Sequence, residues 1–219
     1  MVVKQERKAM TLEEAIEGRC SIRKFTDDPV PEEDLMKMLW AAGRAPSAGN
    51  QQMWHFLIIK SKEVRERMRQ AVLDKVEEML TWEAAKGWEE RITGIRGYGT
   101  FFANAPIAVA VLTKPYDNPL DSHILPAHGL SFKELYDLRG DPGRQSLGAA
   151  ISNFLLMAHA MGYGTCWMTG PLVAKPAMEK ILDVQPPWNL AAITPLGVPA
   201  ESPAPRKRKD VSEIFTVIE

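Results

Sequence analysis

Apolar residues follow two rhythms along this chain. In four stretches they return every three or four residues, which puts them on one face of a helix. These are Leu12, Ala15 and Ile16; Leu35, Met38, Leu39 and Ala42; Val64, Met68, Val72, Val76, Met79 and Leu80; and Leu147, Ala150, Ile151, Phe154, Leu155, Ala158 and Met161. Elsewhere they form short runs, His55–Ile59, Ala105–Leu112, Thr165–Met168 and Ala191–Gly197, which predict buried strands. The widest apolar face belongs to 145–161, so that helix is expected at the centre. Helical periodicity also extends over 61–91, and a short helix is expected at 175–183.

Local signals mark where several elements start and stop. Thr11 and Glu14 form a capping box, and Gly18 is expected to end the first helix in a left-handed conformation. Pro31 suits a first helical position, with Glu32, Glu33 and Asp34 favouring the helix dipole. Gly43 ends that helix, and Gly162 and Gly164 close the central one. Two stretches break the rhythm. Residues 78–102 carry Trp82, Trp88, Tyr98, Phe101 and Phe102 among charges and glycines; these aromatics suit either a pocket for a flat molecule or ordinary packing. Residues 113–143, rich in Pro, Gly, Asp and His, look like a long loop excursion of the kind that often forms a lid.

Composition narrows the class. With 219 residues, 45% hydrophobic and 25% charged, the chain fits one ordinary globular domain over 1–219. A net charge of -1 argues against a nucleic-acid footprint. Basic residues cluster only at 19–24 and 206–209, which suits one small anionic ligand. Cys20 and Cys166 have no metal-ligand spacing, and His123 and His128 are weak ligands, so no metal is expected. The N-terminal residues lack the apolar core of a signal peptide, and no run approaches a membrane span, so a reduced, cytoplasmic protein is expected.

Candidate chemistry sits in four places. Arg19, Ser21 and Arg23 alternate along an extended segment and so point the same way, offering two guanidinium forks and a hydroxyl to an anion. Ala45–Trp54 is an uncharged loop in which Asn50, Gln51 and Gln52 suit the edge of a heterocycle or a plain turn equally. Thr169-Gly170-Pro171 could admit a ligand close to backbone or simply turn into the next helix. Arg206-Lys207-Arg208-Lys209 follows four prolines and precedes Val211, Ile214, Phe215, Val217 and Ile218, an apolar tail that should pack on something, plausibly a second subunit. His55, beside a strand, reads as structural.

In this order the pieces resemble the nitroreductase family of flavin mononucleotide (FMN) enzymes. The matches are RCSIRKF at 19–25, APSAGNQQMWHFLII at 45–59, APIAVAVL at 105–112, GAAISNFLLMAHAMGYGTCWMTGP at 148–171, and LGVP at 196–199 followed by the basic cluster. The resemblance implies an α+β fold: a mixed, mainly antiparallel sheet flanked by helices, in an intertwined homodimer with two FMN sites at its interface. The tail, 200–219, would cross to the partner. By the same resemblance, Arg19 and Ser21 would meet the phosphate and Arg23 the flavin's pyrimidine carbonyl. Arg206 and Arg208 would reach the same phosphate, with Lys207 and Lys209 as competing choices. Pro46, Ser47 and Asn50 would come from the partner chain, and Thr169 and Gly170 would lie by the flavin's reactive nitrogen. No acid, base or nucleophile is implied, because the flavin carries the chemistry.

The implied activity is a ping-pong oxidoreductase: NADH or NADPH reduces FMN, which then reduces a nitroaromatic, quinone or other conjugated acceptor. Reductive dehalogenation or flavin fragmentation on the same fold, and a carrier or sensor without turnover, are the competing readings. Three departures stand out. Cys20 replaces a common arginine, Met53 replaces the usual proline before Trp54, and 78–102 and 113–143 match no subgroup. Those two segments are expected to shape the substrate pocket, so the departures leave the acceptor open.

Overall fold

A computed structural model describes residues 10–204 and 206–219. Four strands form one sheet in the order β1-β2-β4-β3. They are β1 (Trp54–Ile59), β2 (Ile107–Thr113), β3 (Gly164–Thr165) and β4 (Asn189–Gly197). All three pairings are antiparallel. The sheet's mixed character is confined to a single parallel bridge, Ser21 to Thr165, which lays the 19–25 segment along the β3 edge.

Helices cover both faces. The main ones are α1 (Leu12–Gly18), α2 (Glu32–Gly43), α3 (Lys62–Leu80) and α4 (Glu89–Tyr98). They are followed by α5 (Leu125–Ala127), α6 (Phe132–Arg139), α7 (Pro142–Ala160) and α8 (Lys175–Ile181). β2 is buried along its whole length and explains the layering. Its Ile107, Val109 and Val111 pack with Leu35, Met38, Ile151 and Phe154 of α2 and α7. Its Ala108, Ala110 and Leu112 pack with Met68, Val72 and Val76 of α3 and Met178 of α8. Alternate side chains of a strand point to opposite faces, so an unbroken apolar run is what a strand between two helical layers needs. Arg65 is buried at the β1–α3 junction, where it donates to the carbonyls of Ile59, Lys60 and Ala103. Burial pushes its pKa downward.

Several local expectations change. Gly18 does not end α1 in the left-handed region; Arg19 follows it in extended backbone. The glycine instead leaves room for a neighbour: a Cβ there would lie 2.8 Å from Nε2 of His159 and would have to displace that ring. Pro31 is the N-cap of α2, one position before the helix. The 61–91 helix stops at Leu80, where Trp82 turns to extended backbone (ψ 139°), and the chain restarts as α4 at Glu89. The third strand shrinks to Gly164–Thr165, and the chain rejoins the sheet only at a Met168–Ile193 bridge. The excursion at 113–143 is largely helical, with a π-turn at Leu120–Ile124 leading into α5 and then α6. Capping groups build it: Ser131 and Glu134 form a capping box for α6, and Asp141 caps α7.

Candidate functional site

The Arg19–Arg23 segment is held in place from both sides. Ile22 donates to the Thr165 carbonyl at 2.9 Å. The backbone N–H groups of Arg23 and Lys24 both donate to one carboxylate oxygen of Glu201, at 2.6 and 3.2 Å. Thr26 and Ala200 add backbone bonds to Val198 and Lys24. Glu201 is thus the anchor of the segment, a role that no sequence motif suggested, because it lies 178 residues from Arg23.

Arg19, Ser21 and Arg23 all lie near enough to the buried thiol of Cys166 to act on its titration. Burial pushes that thiol up, while the Ser21 hydroxyl, Arg23 and Arg19 pull the other way. Burial has the larger effect, so the thiolate of Cys166 is disfavoured. Arg23 also donates from a guanidinium nitrogen to the Ser21 carbonyl at 3.2 Å. His159, near the end of α7, faces Gly18 and Arg19. Burial, then Arg19, pushes its pKa down, so it stays neutral beside the cluster. Only its place against Gly18 in the fold reveals it; the sequence shows an unremarkable helical histidine.

Thr169 and Gly170 follow the Met168 bridge at the end of this edge. Thr169 is exposed. The Tyr98 ring from the 78–102 segment closes over Gly170, where an added Cβ would meet it at 3.1 Å. A side chain there would have to displace the Tyr98 ring by a few tenths of an ångström. Trp82, Trp88, Tyr98 and Trp167 all expose large parts of their rings.

Pro46, Ser47 and Asn50 lie elsewhere. Their loop precedes β1, at the opposite edge of the sheet from β3. It is pinned to the first turns of α7, where Ala48 donates to the Ser146 hydroxyl at 3.1 Å. Gln51 exchanges two hydrogen bonds with the backbone of Asp117. Ser47 accepts from the Gln52 N–H at 3.1 Å. Gly49, Asn50 and Gln52 all take φ near +50°, at 57°, 53° and 48°. Such backbone is uncommon outside glycine, and asparagine is among the residues that tolerate it best. Pro46 and Asn50 are exposed. Ser146 touches this loop while His159 touches Gly18, so the two groups of residues are separated by about 20 Å along α7 alone. They also stand three strand spacings apart, roughly 14 Å.

In the tail, Arg206 and Arg208 are exposed and make no ion pair or hydrogen bond among the described residues. Val211, Ile214, Phe215, Val217 and Ile218 are all more than half exposed. On the body of the fold, Met36 and Trp40 of α2 are exposed as well, and with Met157 of α7 and Met161 just after it they form an apolar groove.

The family model described as the nitroreductase family matches residues 16–198, which spans both groups of site residues. The chain belongs to the nitroreductase family. A protein of Methanothermobacter thermautotrophicus, provisionally named an NADH dehydrogenase/NAD(P)H nitroreductase, is 29% identical over 94% of this chain and 86% of its own length. Among solved structures, a BluB-like flavoprotein of Clostridium difficile 630 is 35% identical, with a TM-score of 0.85, over 96% of this chain and 100% of that one. An iodotyrosine deiodinase bound to FMN and 3-iodo-L-tyrosine shares the fold, with a TM-score of 0.69 at 21% identity over 95% of this chain and 100% of its own. The family fold is therefore present from α1 to the end of β4. Among the described residues no helix is long and apolar enough to cross a membrane.

Proposed function

We propose that the chain is an FMN-dependent oxidoreductase acting as a homodimer, with each flavin site built from both protomers. The observation that carries this reading is the separation just described. A cationic cradle at the β3 edge and a neutral, preformed amide loop at the far edge are each half of a site for a phosphorylated heterocycle. Within one chain they are too far apart to meet one ligand, whereas a two-fold partner supplies the missing half twice over. Exposed Met36 and Trp40 and the exposed apolar tail supply surface for such an interface.

FMN suits this chain's donors. Arg19 and Ser21 would hold the phosphate, joined by Arg206 and Arg208 or their lysine neighbours. Arg23 would sit at the pyrimidine carbonyl, where its charge favours electron gain. The partner's loop would bring Pro46, Ser47 and Asn50 against the ring edge. Thr169 and Gly170 would present backbone N–H groups to the ring's central nitrogen, with Tyr98 limiting access from above. When bound, FMN would supply acceptance of a hydride from NADH or NADPH and transfer of two electrons to a nitroaromatic, quinone or related acceptor. Reduction of a nitro to a nitroso group consumes two electrons and two protons and releases water. The family relatives, with the NAD(P)H nitroreductase name among them, support this direction.

Two measurements test the reading. The first is the absorption spectrum of the purified protein under anaerobic conditions, before and after NADPH and then NADH. Bleaching of the flavin bands is expected; bands that persist with both donors would move the weight to a carrier or sensor. The second is co-expression of Arg19→Ala and Asn50→Ala chains. If each site spans two chains, the mixed dimer regains one intact site and about half the flavin of the parent. Sites built within single chains would all carry one defect and regain none.

A further inference from the structure

The helical excursion walls a half-open cavity of about 400 Å³ that the flavin reading does not use. That is the size range of small-molecule sites. One wall is the end of β2 and the residues after it, with Lys114 and Tyr116; the facing wall is α6, with Leu135, Tyr136 and Arg139. The first turn of α7 closes the side with Arg144. The cavity therefore combines aromatic and aliphatic walls with a few charges.

Those charges are not balanced. Asp121 accepts from Arg139 at 2.8 Å, and Asp141 pairs with Arg144 at 3.1 Å. Both lining carboxylates are thus committed. Lys114 lies 5.5 Å from the centroid of the Trp188 ring and has no carboxylate partner among the described residues. One positive charge is left for whatever enters.

The cavity also adjoins the ring-edge loop. Tyr116 lines it, and the same hydroxyl would be 3.4 Å from a Cβ on Gly49. The next residue, Asp117, is bonded both ways to Gln51. A molecule in the cavity is therefore one side chain away from the loop assigned to the partner's flavin.

We propose that this cavity binds a flat, singly anionic molecule, such as an aromatic carboxylate. The anion lies at Lys114 and the ring lies against the tyrosines. Its binding is measured apart from turnover. The test is calorimetric titration of the flavin-loaded protein, without nicotinamide, using 4-nitrobenzoate, neutral 4-nitrobenzamide and cationic 4-nitrobenzylamine. The nitrobenzoate should bind at least about tenfold tighter than the amide, as expected of a charge-assisted contact. Lys114→Gln should erase that preference and leave amide binding unchanged. Leu135→Trp, which fills the cavity, should abolish binding of both while the flavin spectrum stays intact. Equal affinities for the three ligands, a preference that survives Lys114→Gln, or undiminished binding in Leu135→Trp would overturn the proposal. The anaerobic bleaching experiment fails or succeeds independently, so the two readings are separable.

Discussion

Gly164→Ala is the most direct probe of how the cationic segment is held. An alanine Cβ there would meet three atoms of Ile22, Cγ2, Cβ and Cγ1, at 2.7, 2.8 and 2.9 Å. Unstrained carbon contacts lie near 3.5–4.0 Å, roughly an ångström longer. Ile22 cannot relieve the clash by rotating, because one of the atoms is its own Cβ, which moves only with the backbone. The segment must lift from β3, straining the 2.9 Å bond from Ile22 to Thr165 and the Ser21–Thr165 bridge. Overpacking of this kind costs about 1–3 kcal/mol. A lost hydrogen bond adds about 1 kcal/mol, and the reduced entropy of the unfolded chain returns about 0.4–1 kcal/mol. The net loss expected is about 2 kcal/mol. Urea unfolding of the flavin-free protein, followed by tryptophan fluorescence, measures it. Flavin titration should show a weaker Kd as well, since Arg19, Ser21 and Arg23 flank Ile22. Gly43→Ala is the control: an exposed helical position with nothing within 4 Å, expected to be neutral or stabilising by up to about 1 kcal/mol. A Gly164→Ala protein as stable as its parent, with unchanged flavin affinity, would refute the reasoning.

Other outcomes follow from the same geometry. Arg19→Ala should weaken FMN binding by about tenfold to a hundredfold, the worth of a charge-assisted phosphate contact, as read by fluorescence titration. Arg65→Met keeps the stem but leaves three carbonyls without their donor, and should cost about 2 kcal/mol in urea unfolding with flavin affinity unchanged. His159 has its pKa depressed in the fold, so the unfolded chain binds the extra proton as pH falls through its ordinary value of 6.5. Stability of the flavin-free protein should therefore drop on acidification from about pH 8 to about pH 5.5, with a shallower drop in His159→Gln, as compared by urea midpoints. Deleting 206–219 should impair both dimer formation and flavin retention; a truncated protein that stays dimeric and yellow by light scattering and absorbance would remove the tail from the site.

Much of the chain could be read from local rules, and the reasons are visible in particular residues. Helix faces followed the 3.6-residue rhythm of Leu35, Met38 and Ala42 or Leu147, Ile151 and Phe154, because burial on one side is all that a surface helix requires. The Thr11–Glu14 capping box formed as predicted, since capping depends on neighbours three residues apart. The alternation of Arg19, Ser21 and Arg23 was legible because spacing along an extended segment is a local property, and the segment does lie along the β3 edge. Tertiary structure decided what depends on distant neighbours. The third strand shrank to Gly164–Thr165 and the 61–91 helix ended at Leu80, short of its periodic pattern. The anchoring of Arg23 by Glu201, the neutral His159 beside Gly18, and the cavity under α6 each join residues far apart in the chain. The sequence by itself determined which residues carry charge, amide groups and apolar faces, and in what order. Only the fold decided that the cationic cradle and the amide loop stand at opposite edges of one sheet, because strand order is set by long-range pairing that no local pattern encodes.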